Sequence, residues 1–109
     1  MKQVSFLGDA LARISDFPLQ ARKETGFQLD RVQRGLDPED WKPMTGIGSS
    51  VREIRVREPS GAFRIIYLAT YADAVYVLHA FQKKTQTTSQ KDIDLATARF
   101  KLLLKRKAR

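Results

Sequence analysis

Hydrophobic and polar positions along the chain switch between two periods, and the switches mark its elements. Residues 2–7, "KQVSFL", alternate as a short strand does. Gly8-Asp9 breaks that alternation and predicts a cap for a brief helix over "ALARIS", with Leu11 and Ile14 on one side. Asp16 and Pro18 open a second helix, because proline fits only the first turn. Its apolar positions Ala21, Thr25, Leu29, Val32 and Leu36 recur at helical spacing, and Gly35 closes it. Gly26, inside that helix, costs about 1 kcal/mol relative to Ala. The stretch "DPEDWKPMTGIGSS" is rich in turn formers and predicts a loop with at most one helical turn.

The period then becomes two. "VREIRVRE" places Arg52, Ile54 and Val56 on one face and Glu53, Arg55 and Arg57 on the other. "PSG" supplies a hairpin turn. "AFRIIYLATY" and "AVYVLHAF" are near-continuous apolar runs, as expected of the central strands of an antiparallel meander. Ser89, followed three residues later by Asp92, predicts the capped start of a last helix, with Ile93, Ala96, Phe100 and Leu103 on its buried side. Its acidic first turn and its "KRKAR" end suit the helix dipole. The expected fold is α+β: a small antiparallel β-sheet with two N-terminal helices and one C-terminal helix.

Size and composition narrow this picture. A chain of 109 residues predicts one domain, residues 1–109, with one modest core. The hydrophobic share of 42% and charged share of 29% are those of a folded chain. The sequence holds no cysteine, which excludes a disulfide framework and a thiolate zinc site. No apolar run reaches membrane-spanning length, and the N-terminus lacks a signal-peptide core, so a cytoplasmic protein with no membrane partner is expected.

Charge changes the picture most. There are 20 Lys and Arg against 12 Asp and Glu, a net charge of +8 and an isoelectric point near 10.1. Such a surface attracts polyanions. Arg55 and Arg57 leave one face of the first meander strand, Arg64 lies just across the hairpin, and Lys83-Lys84 end the third strand. Alternating arginines, or a lysine pair at a strand end, ordinarily form a solvated face. Arg64 differs, because it interrupts the apolar run "FRIIYL". It must be paired with a carboxylate such as Glu53 or Glu58, or stand in a pocket. If the strands are neighbours, all five cations converge into a concavity the size of a phosphate.

Other chemistry is sparse. His79, the only histidine, has apolar neighbours and reads as a satisfied core residue. The sequence shows no partnered nucleophile, carboxylate pair or metal-ligand spacing. "GIGSS" precedes a strand rather than opening a helix, so it is a poor phosphate loop. Trp41, Tyr67, Tyr71 and Tyr76 read as core or rim packing rather than base-stacking platforms.

The stretch "GSSVREIRVREPSGAFRIIYLATYADAVYVLHAFQKKTQTTSQKDIDLATAR" resembles the phage-derived, HigB-like branch of the RelE/ParE toxin superfamily of type II toxin–antitoxin systems. The resemblance rests on "EIRVRE", "FRIIY", "YVLHAFQKKTQ" and the closing "DIDLA", and the order of elements agrees through the whole chain. It implies a RelE/ParE-like fold and a ribosome-dependent messenger RNA endonuclease that inhibits translation. The implied RNA-binding residues are Arg55 and Arg57, and the implied catalytic residues are Arg64 and Lys83 or Lys84. No metal or other cofactor is implied. The implied partners are mRNA with ribosomal RNA, and a cognate helix-turn-helix antitoxin of the HigA type. Related toxins often carry a tyrosine or histidine near the chain end, and this chain has neither after His79. A lysine is then implied as the proton-transfer group. The alternatives are a ParE-like gyrase inhibitor without enzymatic activity, and an inactive relic that still binds its antitoxin.

Overall fold

The computed structural model describes residues 1–108. Arg109, the last residue of the basic "KRKAR" tail, lies outside the described residues. In chain order the elements are β1 (Gln3–Phe6), α1 (Ala10–Ser15), α2 (Leu19–Gln33), β2 (Trp41–Pro43), β3 (Arg52–Glu58), β4 (Gly61–Leu68), β5 (Ala74–Lys83) and α3 (Gln90–Lys107). They form one five-stranded sheet in the order β1-β5-β4-β3-β2. The α+β architecture, the meander and all three helices are those the sequence predicts.

The sheet separates two apolar layers. Ile54, Val56, Phe63, Ile65, Tyr67, Val75, Val77 and Ala80 pack beneath α1 and α2, against Ala10, Ile14, Phe17, Ala21, Leu29 and Val32. The opposite face carries Ile66, Leu68, Tyr76, Leu78 and Phe81, which meet Ala96 and Leu103 of α3 and Val51 of the preceding loop. A register shift lets Ile66 pair with His79 and Tyr67 with Val77. Leu78 is the extra residue of this bulge, so Leu78 and His79 both reach α3.

Four details depart from the sequence reading. β1 pairs with β5 in parallel, so the antiparallel sheet gains one parallel edge. The turn-rich 37–50 segment includes β2, three residues that pair antiparallel with β3. Its turn formers hid a strand too short to show alternation. Asp9 does not cap α1 through its side chain. It accepts instead from Arg13 Nε at 2.9 Å and from Arg99 Nη2 at 2.6 Å, tying α1 to α3. Gly8 permits this approach: its φ is +55°, and a Cβ there would stand 2.5 Å from the Arg99 guanidinium. Finally, α2 ends at Gln33, which leaves Leu36 exposed beyond the Gly35 turn (φ +86°).

Ser89 caps α3 as expected, its hydroxyl accepting from the Asp92 amide at 3.2 Å. Among the described residues, no helix is long and apolar enough to cross a membrane.

Candidate anion and nucleic-acid site

The face under α3 is only partly covered, and the uncovered part is the cationic one. Cross-strand register fixes which side chains share it. Arg57, Ala62 and Lys83 form the row nearest the β3–β4 hairpin; Arg55, Arg64 and Phe81 form the next; Lys42, Glu53, Ile66 and His79 form the third. Residues of one row lie side by side on the same face of the sheet. Ala62, between Arg57 and Lys83, has too little side chain to fill the space. A cavity of about 730 Å³ opens there, lined by Arg55, Arg57, Arg64, Lys83 and Lys84, with Glu58 the one carboxylate in its wall. The structure therefore brings together all five cations that the sequence singles out.

Arg64 resolves as a paired charge that also lines the cavity. It is 4% exposed, and its Nε lies 3.5 Å from Oε1 of the fully buried Glu53. Lys42 Nζ stands 3.9 Å and Arg55 Nε 4.0 Å from the same oxygen. Glu53 Oε2 accepts from Thr88 Oγ1 at 3.1 Å. Arg64 Nη1 donates to the Phe63 carbonyl at 3.0 Å. One carboxylate thus faces three cations at ion-pair distance. Among the described residues, Glu53 Oε1, Arg55 Nε and Arg64 Nε make no hydrogen bond. Buried polar groups left in that condition are uncommon; the two guanidinium Nε groups are donors that an anion can satisfy, whereas Glu53 Oε1 is an acceptor held only by the charge of its three cations.

Electrostatics follows from this crowding. Burial pushes the Arg64 guanidinium below its ordinary value; Arg55 and Arg57 add to the shift, while Glu53 opposes it. Partial desolvation and the nearby Arg64 likewise push the Lys83 ammonium below its ordinary value, again against Glu53.

The two lysines are not equivalent. Lys83 is the last residue of β5 and shares the row of Arg57 and Ala62, on the same face as Arg64. Lys84 follows the strand and lines the mouth from the loop, more exposed than Lys83.

His79 is the satisfied core residue the sequence suggests. It is wholly buried, its Nε2 lies 2.7 Å from Asp92 Oδ1, and its ring stacks on Phe81. Burial lowers its pKa, against the pull of Asp92. The aromatic residues also fall as expected: Arg52 lies 3.9 Å over the Trp41 ring, and the Tyr76 hydroxyl donates to Asp73.

Sequence reasoning gave Glu53 only as one possible partner and missed Lys42 and Thr88. The signal for Glu53 was present, since it precedes Arg55 by two residues and therefore shares its face. Lys42 could not be found while its segment read as a loop. Thr88 meets Glu53 across 35 residues of sequence, a separation that carries no local pattern.

No curated protein gives a significant match to the chain. The family profile described as "Phage derived protein Gp49-like (DUF891)" matches residues 12–101, which includes β3, β4, β5 and every residue of the cationic cavity. The chain therefore belongs to the Gp49-like phage-derived protein family, a family associated with the toxins of toxin–antitoxin systems.

Proposed function

We propose that the chain is the toxin of a type II toxin–antitoxin pair, of the HigB-like branch of the RelE/ParE superfamily, and cleaves messenger RNA on the ribosome. The observation that carries this reading is the five-cation cavity built around the buried Glu53–Arg64 pair. A surface that only binds protein has little need of such a phosphate clamp.

The chemistry can be assigned to the chain's own groups. The ribose 2′-oxygen attacks the adjacent phosphorus, the bond to the 5′ oxygen breaks, and a 2′,3′-cyclic phosphate and a free 5′-hydroxyl result. Arg64, Arg55 and Arg57 hold the phosphate and offset the charge that accumulates on its oxygens in the pentacoordinate state. Arginine is too basic to exchange protons near neutrality. Lys83, with its lowered pKa, is the base that takes the 2′-hydroxyl proton. Water entering the open cavity protonates the departing 5′ oxygen. Lys84 at the mouth guides the backbone by charge. The remaining basic surface docks on ribosomal RNA, with affinity that falls as salt rises. A small helix-turn-helix antitoxin is the expected neutralising partner in the host cell.

The test is a primer-extension map of an mRNA incubated with purified protein, with and without translating ribosomes, beside Arg64→Lys and Lys83→Met. New 5′ ends that require ribosomes and disappear in Lys83→Met establish the assignment. Intact transcripts under every condition, together with a DNA-damage response on expression in cells, would transfer the chain to gyrase inhibition.

A further inference from the structure

Gly26 has no structural purpose inside the monomer. It lies in the middle of α2, where glycine is destabilising, and a Cβ there would meet nothing within 4 Å. Its φ is not positive, so no turn requires it either. What the missing side chain leaves is a notch on the outer surface of the helix.

The residues around that notch are not those of an ordinary solvated face. α2 turns Ala21, Leu29 and Val32 to the sheet. At 3.6 residues per turn, the opposite side carries Leu19, Lys23, Gly26, Phe27, Asp30 and Arg34. Leu19 is 52% and Phe27 50% exposed, although both are large and apolar. Asp30 Oδ2 accepts from Arg34 Nε at 2.9 Å, which leaves Oδ1 able to accept from a further donor. Lys23 is exposed, eight residues from the start of the Gly35 turn and one helical turn before Phe27.

The six positions are symmetric along the helix. About the midpoint between Gly26 and Phe27, Gly26 corresponds to Phe27, Lys23 to Asp30 and Leu19 to Arg34. A second α2 laid antiparallel across the first, with a two-fold axis at that midpoint, brings each residue level with its counterpart in the other copy. The Phe27 ring of one copy then has the notch at Gly26 of the other to occupy. Lys23 meets the Asp30 carboxylate, and the aliphatic stem of Arg34 covers Leu19. Every contact occurs twice. A face that served a partner of different sequence would have no need of this symmetry.

We propose that the outer face of α2 docks a second copy of this chain, forming an antiparallel two-fold dimer centred between Gly26 and Phe27. α2 packs on the sheet face opposite the cationic cavity, so both cavities stay open in the dimer. One helix from each copy makes a contact at the small end of specific interfaces, so the association is expected to be weak, in the micromolar range. The +8 charge of each copy opposes it, most strongly at low salt.

The experiment is sedimentation equilibrium of the full chain in about 0.15 M salt, over about 1–500 μM protein. The mean mass is expected to rise with concentration from 12.4 kDa toward twice that value. Gly26→Gln supplies a better helix former, so its melting temperature should rise while its side chain fills the notch and weakens association at least about tenfold. A more stable monomer that associates less separates this effect from misfolding. Lys23→Glu sets like charges against each other and is expected to give a similar loss. The exchange Lys23→Glu/Asp30→Lys should return association to within about threefold of wild type, because the pair is restored across the axis. A chain that stays at 12.4 kDa throughout overturns the proposal. Association that is indifferent to Gly26→Gln, or a charge exchange that rescues nothing, overturns it as well, the first by placing the contact on another face and the second by breaking the antiparallel register.

Discussion

The two faces of the sheet are built from alternate residues of the same strands and have opposite characters. Toward α1 and α2, β3 presents Ile54 and Val56, and β4 presents Phe63 and Ile65, all at most 1% exposed. Toward α3, the intervening positions are Glu53, Arg55, Arg64 and Ile66. Both faces are buried where helices cover them, but the second carries charges inside. A sheet stabilised only by burial would have no reason to place a carboxylate and a guanidinium in its interior, where pairing at best offsets desolvation. The first face is apolar throughout, whereas the second is apolar where α3 covers it and charged beyond, so part of its burial holds cations at a fixed spacing.

The contrast can be broken most sharply by removing one residue from each face. Phe63→Ala and Glu53→Ala are each expected to cost about 3–5 kcal/mol in denaturant unfolding, the first through a cavity and the second by stranding the Arg64 charge. Their consequences for the site differ. On the proposed function, folded Phe63→Ala is expected to bind single-stranded RNA as wild type does, whereas Glu53→Ala is expected to lose the fixed geometry of Arg64 and to bind more weakly even where folded. The double variant Glu53→Leu/Arg64→Met is expected to regain the stability that Glu53→Ala loses while remaining without the clamp.

Within the charged face, Lys83→Met is expected to lower the cleavage rate by about 10²–10⁴-fold, the usual worth of a positioned proton-transfer group. Lys84→Met is expected to change it only a few-fold and to reduce the salt dependence of binding. Equal losses in a single-turnover assay would remove the distinction that β5 register draws between them.

Smaller effects belong to the helices. Ser89→Ala removes the α3 cap and is expected to cost about 1 kcal/mol. Gly26→Ala is expected to raise stability by a comparable amount, since a Cβ there meets nothing within 4 Å. Thermal melts of both variants check the pair.

The smallest expected effect is on pH dependence. Hydrogen bonds from Arg13 and Arg99 hold the Asp9 carboxyl at about 2, below its ordinary 3.8. A carboxyl with a depressed pKa in the folded state stabilises above its unfolded value and loses that contribution as it is protonated. Stability should therefore fall between pH 3.8 and about 2. Asp9→Asn should flatten that part of the curve, modestly, because the side chain is 46% exposed.

Much of this arrangement was legible in the sequence, and the divide between what was and was not is a matter of range. Strict alternation in "VREIRVRE" and the apolar runs after it identified β3, β4 and β5 and put Arg55 and Arg57 on one face. Arg64 stood out because a charge within an apolar strand must be paired, and Glu53 is its partner. The α3 cap was read from two residues. In contrast, β2 at three residues is too short to show the alternation that would reveal it, and Asp9 was drawn from its local cap by Arg99, 90 residues away.

The sequence by itself determined the three helices and the order of β1, β3, β4 and β5, the split between apolar and charged faces, and the set of cations available, because each depends on side-chain periodicity within one segment. Only the tertiary structure decided that β1 adds a parallel edge, that Lys83 rather than Lys84 shares the face of Arg64, and that one buried carboxylate gathers Lys42, Arg55, Arg64 and Thr88. Those facts depend on register between strands and on how far α3 extends over the sheet. Local periodicity fixes neither: register and coverage are settled when the two apolar layers pack, and the cationic cavity is the part of one face that this packing leaves uncovered.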